Sequence, residues 1–155
     1  MSKLILILVL VFFSAFCSAE ADTQDVVNEY FDTYAHRQDF DKFMDFYAKE
    51  AMLKDVVYGV ELHGRQEISK FFDWHRGEFK TVSPGPILRI TSHLISSNIA
   101  ISRGIFEEFD YNKERLGPWE FIIWQEFNES GKIVRQDDWI NYSPKKILIG
   151  TQGVP

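Results

Sequence analysis

AMLKDVVYGVELHGRQEISKFF, residues Ala51–Phe72, reads as a strand, a turn ending at Gly64 and an amphipathic helix. Met52 to Tyr58 is rich in β-formers and is bounded by Gly59, which predicts a strand. Side chains alternate across a strand, so Leu53, Asp55 and Val57 share one face, and Met52, Lys54, Val56 and Tyr58 share the other. Leu53 and Val57 favour burial and carry Asp55 inward with them. A carboxylate on a core-facing row is costly unless it is hydrogen-bonded or its pKa rises. Two readings of Asp55 follow: a general base made basic by burial, or a rim residue bonded to neighbouring backbone amides. Beyond the turn, Gly64 allows a sharp bend, and Ile68, Phe71, Phe72 and His75 fall on one helical face.

Outward from this stretch, the chain of 155 residues suits one domain. Its start reads as a secretory leader. Lys3 precedes the apolar run Leu4 to Phe13, and Ser14 to Ala19 is small and mildly polar, predicting cleavage after Ala19. Lipidation at Cys17 fits less well, because Phe16 stands where a small residue is required. The expected organisation is therefore a signal peptide over 1–19, a domain over 20–142 and a tail over 143–155. The mature protein would be periplasmic or secreted, with no membrane attachment. Cys17 is the single cysteine, so no disulfide or thiolate ligand is expected after cleavage. Seventeen Lys and Arg against 23 Asp and Glu give a net charge of −6, or −7 without Lys3, and no basic cluster marks a nucleic-acid surface.

Asp22 to Arg37 predicts a first helix, capped by Asp22 or Thr23 and buried through Val27, Tyr30, Phe31 and Tyr34. Asp39 caps a shorter helix whose Phe40, Phe43, Met44 and Tyr47 face inward. Gly77 to Pro86 reads as a loop. Four strands are expected after it, at Ile87 to Ser96, Ile99 to Tyr111, Trp119 to Asn128 and Lys132 to Tyr142, with short breaks that imply antiparallel neighbours. Helices first and sheet after give an α+β fold in which a curved sheet wraps the helices. The apolar Ile147-Leu148-Ile149 in the tail is expected to strap over the body or onto a partner chain.

The run Tyr47 to Asp55, followed by His63-Gly64-Arg65, Ile68 and Phe71-Phe72, resembles the nuclear transport factor 2-like superfamily, within it the SnoaL-like polyketide cyclase and ketosteroid isomerase branch. The resemblance spans about Asp25 to Tyr142. It implies a cone-shaped α+β roll of mixed and antiparallel strands (a cystatin-like arrangement) whose open end is a ligand pocket and whose outer sheet face makes a homodimer. It also implies a small hydrophobic molecule as ligand and no cofactor. The superfold hosts enzymes, binding modules and assembly domains alike, so fold alone does not choose among them.

Carried over by resemblance, Asp55 matches the proton-shuttling aspartate of the ketosteroid isomerases. Phe31 stands where their oxyanion-hole tyrosine is expected, and Ile123 or Trp124 where their second acid is expected. Tyr30 and Tyr34 are the neighbouring residues that could substitute for the missing tyrosine, although helical geometry turns Tyr30 by about 100° from Phe31. A partial resemblance to limonene epoxide hydrolase-like proteins places Asp138 at one aspartate and Arg103 at the arginine, but Ile105 at the other aspartate. Asp55, Arg103 and Asp138 are thus the candidate catalytic residues, against the alternative of a structural ion pair at the sheet surface. Only one of Asp137 and Asp138 can face inward on a strand, and the resemblance favours Asp138. Phe31, Tyr34, His93 and Trp124 are the candidate pocket residues. The four histidines are scattered without metal-ligand spacing, so no metal site is expected. Two functions stay open: acid–base chemistry at Asp55, or a non-catalytic ligand-binding or dimeric assembly module.

Overall fold

A computed structural model describes residues 23–142. The expected leader, Cys17 and the tail with Ile147-Leu148-Ile149 lie outside the described residues. Helix α1 covers residues 23–36, and its Val27, Tyr30, Phe31 and Tyr34 are all buried. Asp39 accepts the Lys42 backbone N–H at 2.9 Å and caps α2, Phe40–Asp45. Tyr47, expected on the face of that helix, instead opens strand β1, Tyr47–Asp55. Its burial is satisfied equally well from the inner face of a strand.

β1 therefore begins and ends earlier than expected. Val56–Gly59 is a turn, and Val60–His63, expected as part of the turn, forms β2, which pairs antiparallel to β1. The Asp55 side chain accepts the N–H groups of Val57 and Tyr58, and Gly59 takes a positive φ of 70°, so the chain reverses there. After Gly64 comes α3, Arg65–Phe72, which buries Ile68. His75 lies beyond its end and is exposed, because the helix stops at Phe72.

The later strands are β3 (Phe79–Thr81), β4 (Leu88–Ser96), β5 (Ile99–Phe106), β6 (Phe109–Tyr111), β7 (Glu114–Leu116), β8 (Trp119–Phe127) and β9 (Ile133–Ile140). Six strands form a mixed sheet in the order β2-β1-β9-β8-β5-β4, antiparallel throughout except for the parallel pair β1/β9. β3, β6 and β7 form a separate three-stranded sheet from stretches expected as loop or as the end of a longer strand. The fold is α+β, with helices leading and a mixed sheet following.

The inner face carries the core. On β8, Phe121, Ile123, Gln125 and Phe127 are buried, while Glu120, Ile122, Trp124 and Glu126 face the other way. The rings of α1 meet this face: Phe31 stacks on Phe121 with centroids 6.2 Å apart, and Tyr34 meets Phe106 at 5.6 Å. A register shift at Glu126/Phe127 inserts Val134 as an extra residue on β9. That bulge lets Ile133 and Gln136 both point inward despite their odd spacing.

Candidate functional site

Parallel pairing of β1 with β9 sets Asp55 directly beside Asp138. No element adjacent in sequence does this; the first strand of the sheet meets the last. The two carboxyls are 1% and 4% exposed. Asp55 Oδ1 accepts from Val57 and Tyr58 N–H, each at 2.9 Å, and Oδ2 accepts a short hydrogen bond from the Tyr142 hydroxyl. The two Asp55 oxygens thus accept three hydrogen bonds from within the chain. Both readings of Asp55 are thus partly present: it is buried, and it is bonded to the backbone amides of the following turn.

Asp138 is different. Burial pushes its carboxyl up to about 8, the Asp55 and Asp137 charges push the same way, and the Gln136 amide opposes them. It is therefore mostly protonated at neutral pH. Its Oδ1 accepts from Gln136 Nε2 at 3.0 Å. The other end of that amide, Gln136 Oε1, lies 3.1 Å from the Tyr30 hydroxyl, 3.0 Å from that of Tyr47 and 3.0 Å from Gln125 Nε2. The two tyrosine hydroxyls are themselves 2.9 Å apart, so one can donate to the other while the second donates to Gln136. Gln125 Oε1 is buried with no partner among the described residues. Behind the carboxyl pair, then, lies a buried chain of amides and hydroxyls reaching from β9 to β8, β1 and α1.

The remaining candidates divide by face. Phe31 is buried and lies 5.5 Å from the His93 ring. His93 Nδ1 is 2.8 Å from Ser102 Oγ, and burial lowers its pKa, so it is neutral near pH 7. Both residues line a cleft of about 260 Å³ between α1 and β4. Tyr34 is buried among Phe43, Phe72, Trp74 and Phe106. Arg103 and Trp124, however, stand on the outer face. Arg103 is exposed and pairs with Glu120 at 3.6 Å; the Arg135 guanidinium lies 5.4 Å from the Trp124 ring centroid and also binds Asp137. Alternation fixes this: Ser102 and Gly104 take the inward positions on β5, and Ile123 and Gln125 take them on β8. The expected convergence of Arg103 with Asp55 and Asp138 does not form, and Trp124 is not in the interior. Among the described residues no group of three His, Asp or Glu side chains is placed to hold a metal.

Tyr142, Gln136, Gln125, Tyr30 and Tyr47 complete the polar centre; of these the sequence pointed only to Tyr30, as one of two substitute hydroxyls. The signal was the row Gln136, Asp138, Ile140, Tyr142, where polar groups recur on a core-facing period of two.

This arrangement of leading helices and a mixed sheet matches the topology of the nuclear transport factor 2-like superfamily. A family model of the SnoaL-like domain matches residues 27–136, and the chain belongs to that family. It is similar to a candidate ketosteroid isomerase from Kribbella flavida, at 19% identity and a TM-score of 0.60 over 88% of this chain and 92% of that one. An NTF-2 like protein of unknown function from Burkholderia xenovorans is 18% identical, with a TM-score of 0.60 over 88% of this chain and 98% of the other. An LEH-like epoxide hydrolase from M. tuberculosis is 11% identical, with a TM-score of 0.63 over 79% and 84%. At such identities the likeness is one of fold. No curated protein matches the chain.

Proposed function

We propose that this is an extracytoplasmic SnoaL-like protein that takes a small hydrophobic molecule into the open end of a curved sheet and performs acid–base chemistry on it at Asp55. The observation that carries the reading is the adjacent buried pair Asp55 and Asp138, one accepting three hydrogen bonds and the other held largely neutral. Two carboxyls whose surroundings differ in this way suit opposite roles. Asp55 would accept a proton from the ligand, and the Asp138 carboxylic acid would donate a hydrogen bond to the oxygen on which negative charge develops. Such a pair would serve isomerase, cyclase or hydrolase chemistry. Aromatic packing around Tyr30, Phe31, Tyr34 and Phe43 supports an apolar ligand.

A second reading, a non-catalytic ligand-binding or dimeric assembly module, has its own observations in favour. Both Asp55 oxygens are already engaged within the chain, and Phe31 offers no hydroxyl. Asp55→Asn separates the two. A panel of small apolar ligands is first screened by thermal shift, since a binder stabilises only the folded state. Any binder is then followed for conversion. Retained binding with conversion abolished in Asp55→Asn supports catalysis; binding without conversion in the parent protein leaves the binding module. The extracytoplasmic location rests on the leader-like residues 1–19, and N-terminal sequencing of the mature protein, expected to begin at Glu20, tests it.

A further inference from the structure

β4 is the last strand of the large sheet, and between it and α1 lies the cleft of about 260 Å³. Its walls are largely apolar: Phe31 and Ala35 from α1, Leu88 and Ile90 from β4, and Pro86 just before that strand. Phe31 forms the inner wall. Beyond its ring lies Tyr30, 5.0 Å away, whose hydroxyl bonds to Gln136 behind the carboxyl pair. The polar groups of α1 at the rim already serve one another. Asn28 Oδ1 accepts from Gln24 Nε2 at 2.9 Å, and Asp32 lies 3.3 Å from His36. His93 is the remaining polar residue of the lining.

The register of β4 on β5 sets His93 directly opposite Ser102, which is fully buried. One hydrogen lies between His93 Nδ1 and Ser102 Oγ, which are 2.8 Å apart, and the chemistry of the pair decides which atom holds it. On Nδ1, it would leave the serine's own proton without an acceptor among the described residues, a costly state for a buried donor. With Ser102 donating to Nδ1 that proton is satisfied. The imidazole, neutral near pH 7, then carries its hydrogen on Nε2. Nε2 stands on the side of the ring away from Ser102 and makes no hydrogen bond among the described residues. An apolar cleft is thus furnished with one oriented, neutral N–H donor.

We propose that this cleft is a binding site separate from the Asp55 end and takes a small neutral ring compound bearing a carbonyl oxygen. The ring lies against Phe31, Leu88 and Ile90, and the oxygen accepts from His93 Nε2–H. Ser102 is a positioning residue, because it fixes which imidazole nitrogen holds the hydrogen. Asp32 at the rim disfavours an anion. The volume of about 260 Å³ lies just under the usual range of about 300–1,000 Å³ for ligand sites, which suits a single ring with a short substituent. The site goes beyond the Asp55 chemistry and stands without it. Acetophenone, benzoate and ethylbenzene (the same ring without an oxygen) are titrated into isotopically labelled parent protein, His93→Phe, Ser102→Ala and Asp55→Asn, and followed by amide chemical shifts. Shifts are expected at Phe31, Ala35, Ile90 and His93. Acetophenone should bind about threefold to tenfold tighter than ethylbenzene, the span of one neutral hydrogen bond, and tighter than benzoate. The preference over ethylbenzene should vanish in His93→Phe, shrink in Ser102→Ala and persist in Asp55→Asn. Long-range nitrogen–proton spectra should show the His93 hydrogen on Nε2 in the parent and a mixture of tautomers in Ser102→Ala, a change that a purely packing role for the serine would not produce. Equal binding of acetophenone and ethylbenzene, tighter binding of benzoate, shifts confined to the Asp55 and Tyr142 end, no binding at millimolar concentration, or a preference that survives His93→Phe overturns the site. A parent tautomer with the hydrogen on Nδ1 does the same. Should His93→Phe not fold, the parent's probe series and its tautomer spectrum decide alone.

Discussion

Asp138 enters the folded protein with its carboxyl raised to about 8, against about 3.9 for an unfolded aspartate. Between those values the folded state holds a proton that the unfolded state has released. Stability from this group is therefore fully present below about pH 4, falls as pH rises through the window, and levels off above about 8. Asp138→Asn keeps the shape and cannot ionise. In urea unfolding at pH 5, 7 and 9, the variant should gain on the parent steadily as pH rises; an unchanging difference would show that Asp138 does not titrate in this window. At Asp55 the expected effect is structural as well as chemical. Asp55→Ala strips two backbone N–H groups and the Tyr142 hydroxyl of their acceptor, a loss of about 1–3 kcal/mol. Thermal or urea unfolding checks it, and Asp55→Asn should lose less because one amide oxygen remains to accept. The inward placement of Asp55 was legible in sequence from its neighbour Leu53 and the alternation of a strand. Its bonds to the neighbouring backbone amides were one of the two sequence readings, but its Tyr142 partner was not legible, because Tyr142 lies far along the chain.

At the scale of elements, β5 depends on having no side chain at Gly104. A Cβ there would lie 2.5 Å from the Phe121 ring and 2.6 Å from the Arg89 carbonyl oxygen. The carbonyl belongs to the backbone of the paired strand β4 and cannot step aside as a side chain can. Gly104→Ala should therefore destabilise the protein by about 1–3 kcal/mol through overpacking, read by denaturant unfolding. Loss of less than about 0.5 kcal/mol would mean that the β4/β5 pair yields more readily than the close contact implies. Helices and long strands were readable because their apolar periods are long. The short strands β2, β3 and β7 were not: three or four residues give too little alternation to distinguish a strand from a turn, and their pairing partners supply the order instead.

For the molecule as a whole, the outer face of the large sheet leaves Leu94, Ile101, Ile122 and Trp139 exposed. Ile101 faces Leu94 across β4/β5, and Ile122 faces Trp139 across β8/β9, so the outer face carries two exposed apolar pairs, with Arg103 and Trp124 between them. Under the proposal of a homodimer, Ile122→Lys places a charge in that surface. Light scattering of the parent at micromolar concentration should give twice the chain mass, and the variant the single-chain mass. A parent that is monomeric removes this face from consideration as a self-contact.

The sequence by itself determined the α+β class, the two leading helices, the four main strands and an inward Asp55, because each follows from periodicities and turn residues within a few positions of one another. Tertiary structure alone decided that β1 lies parallel to β9, and with it that Asp55 stands beside Asp138 while Arg103 and Trp124 face away. Pairing between the first and last strands of a sheet is set by the packing of every element between them, and no local run of residues encodes it.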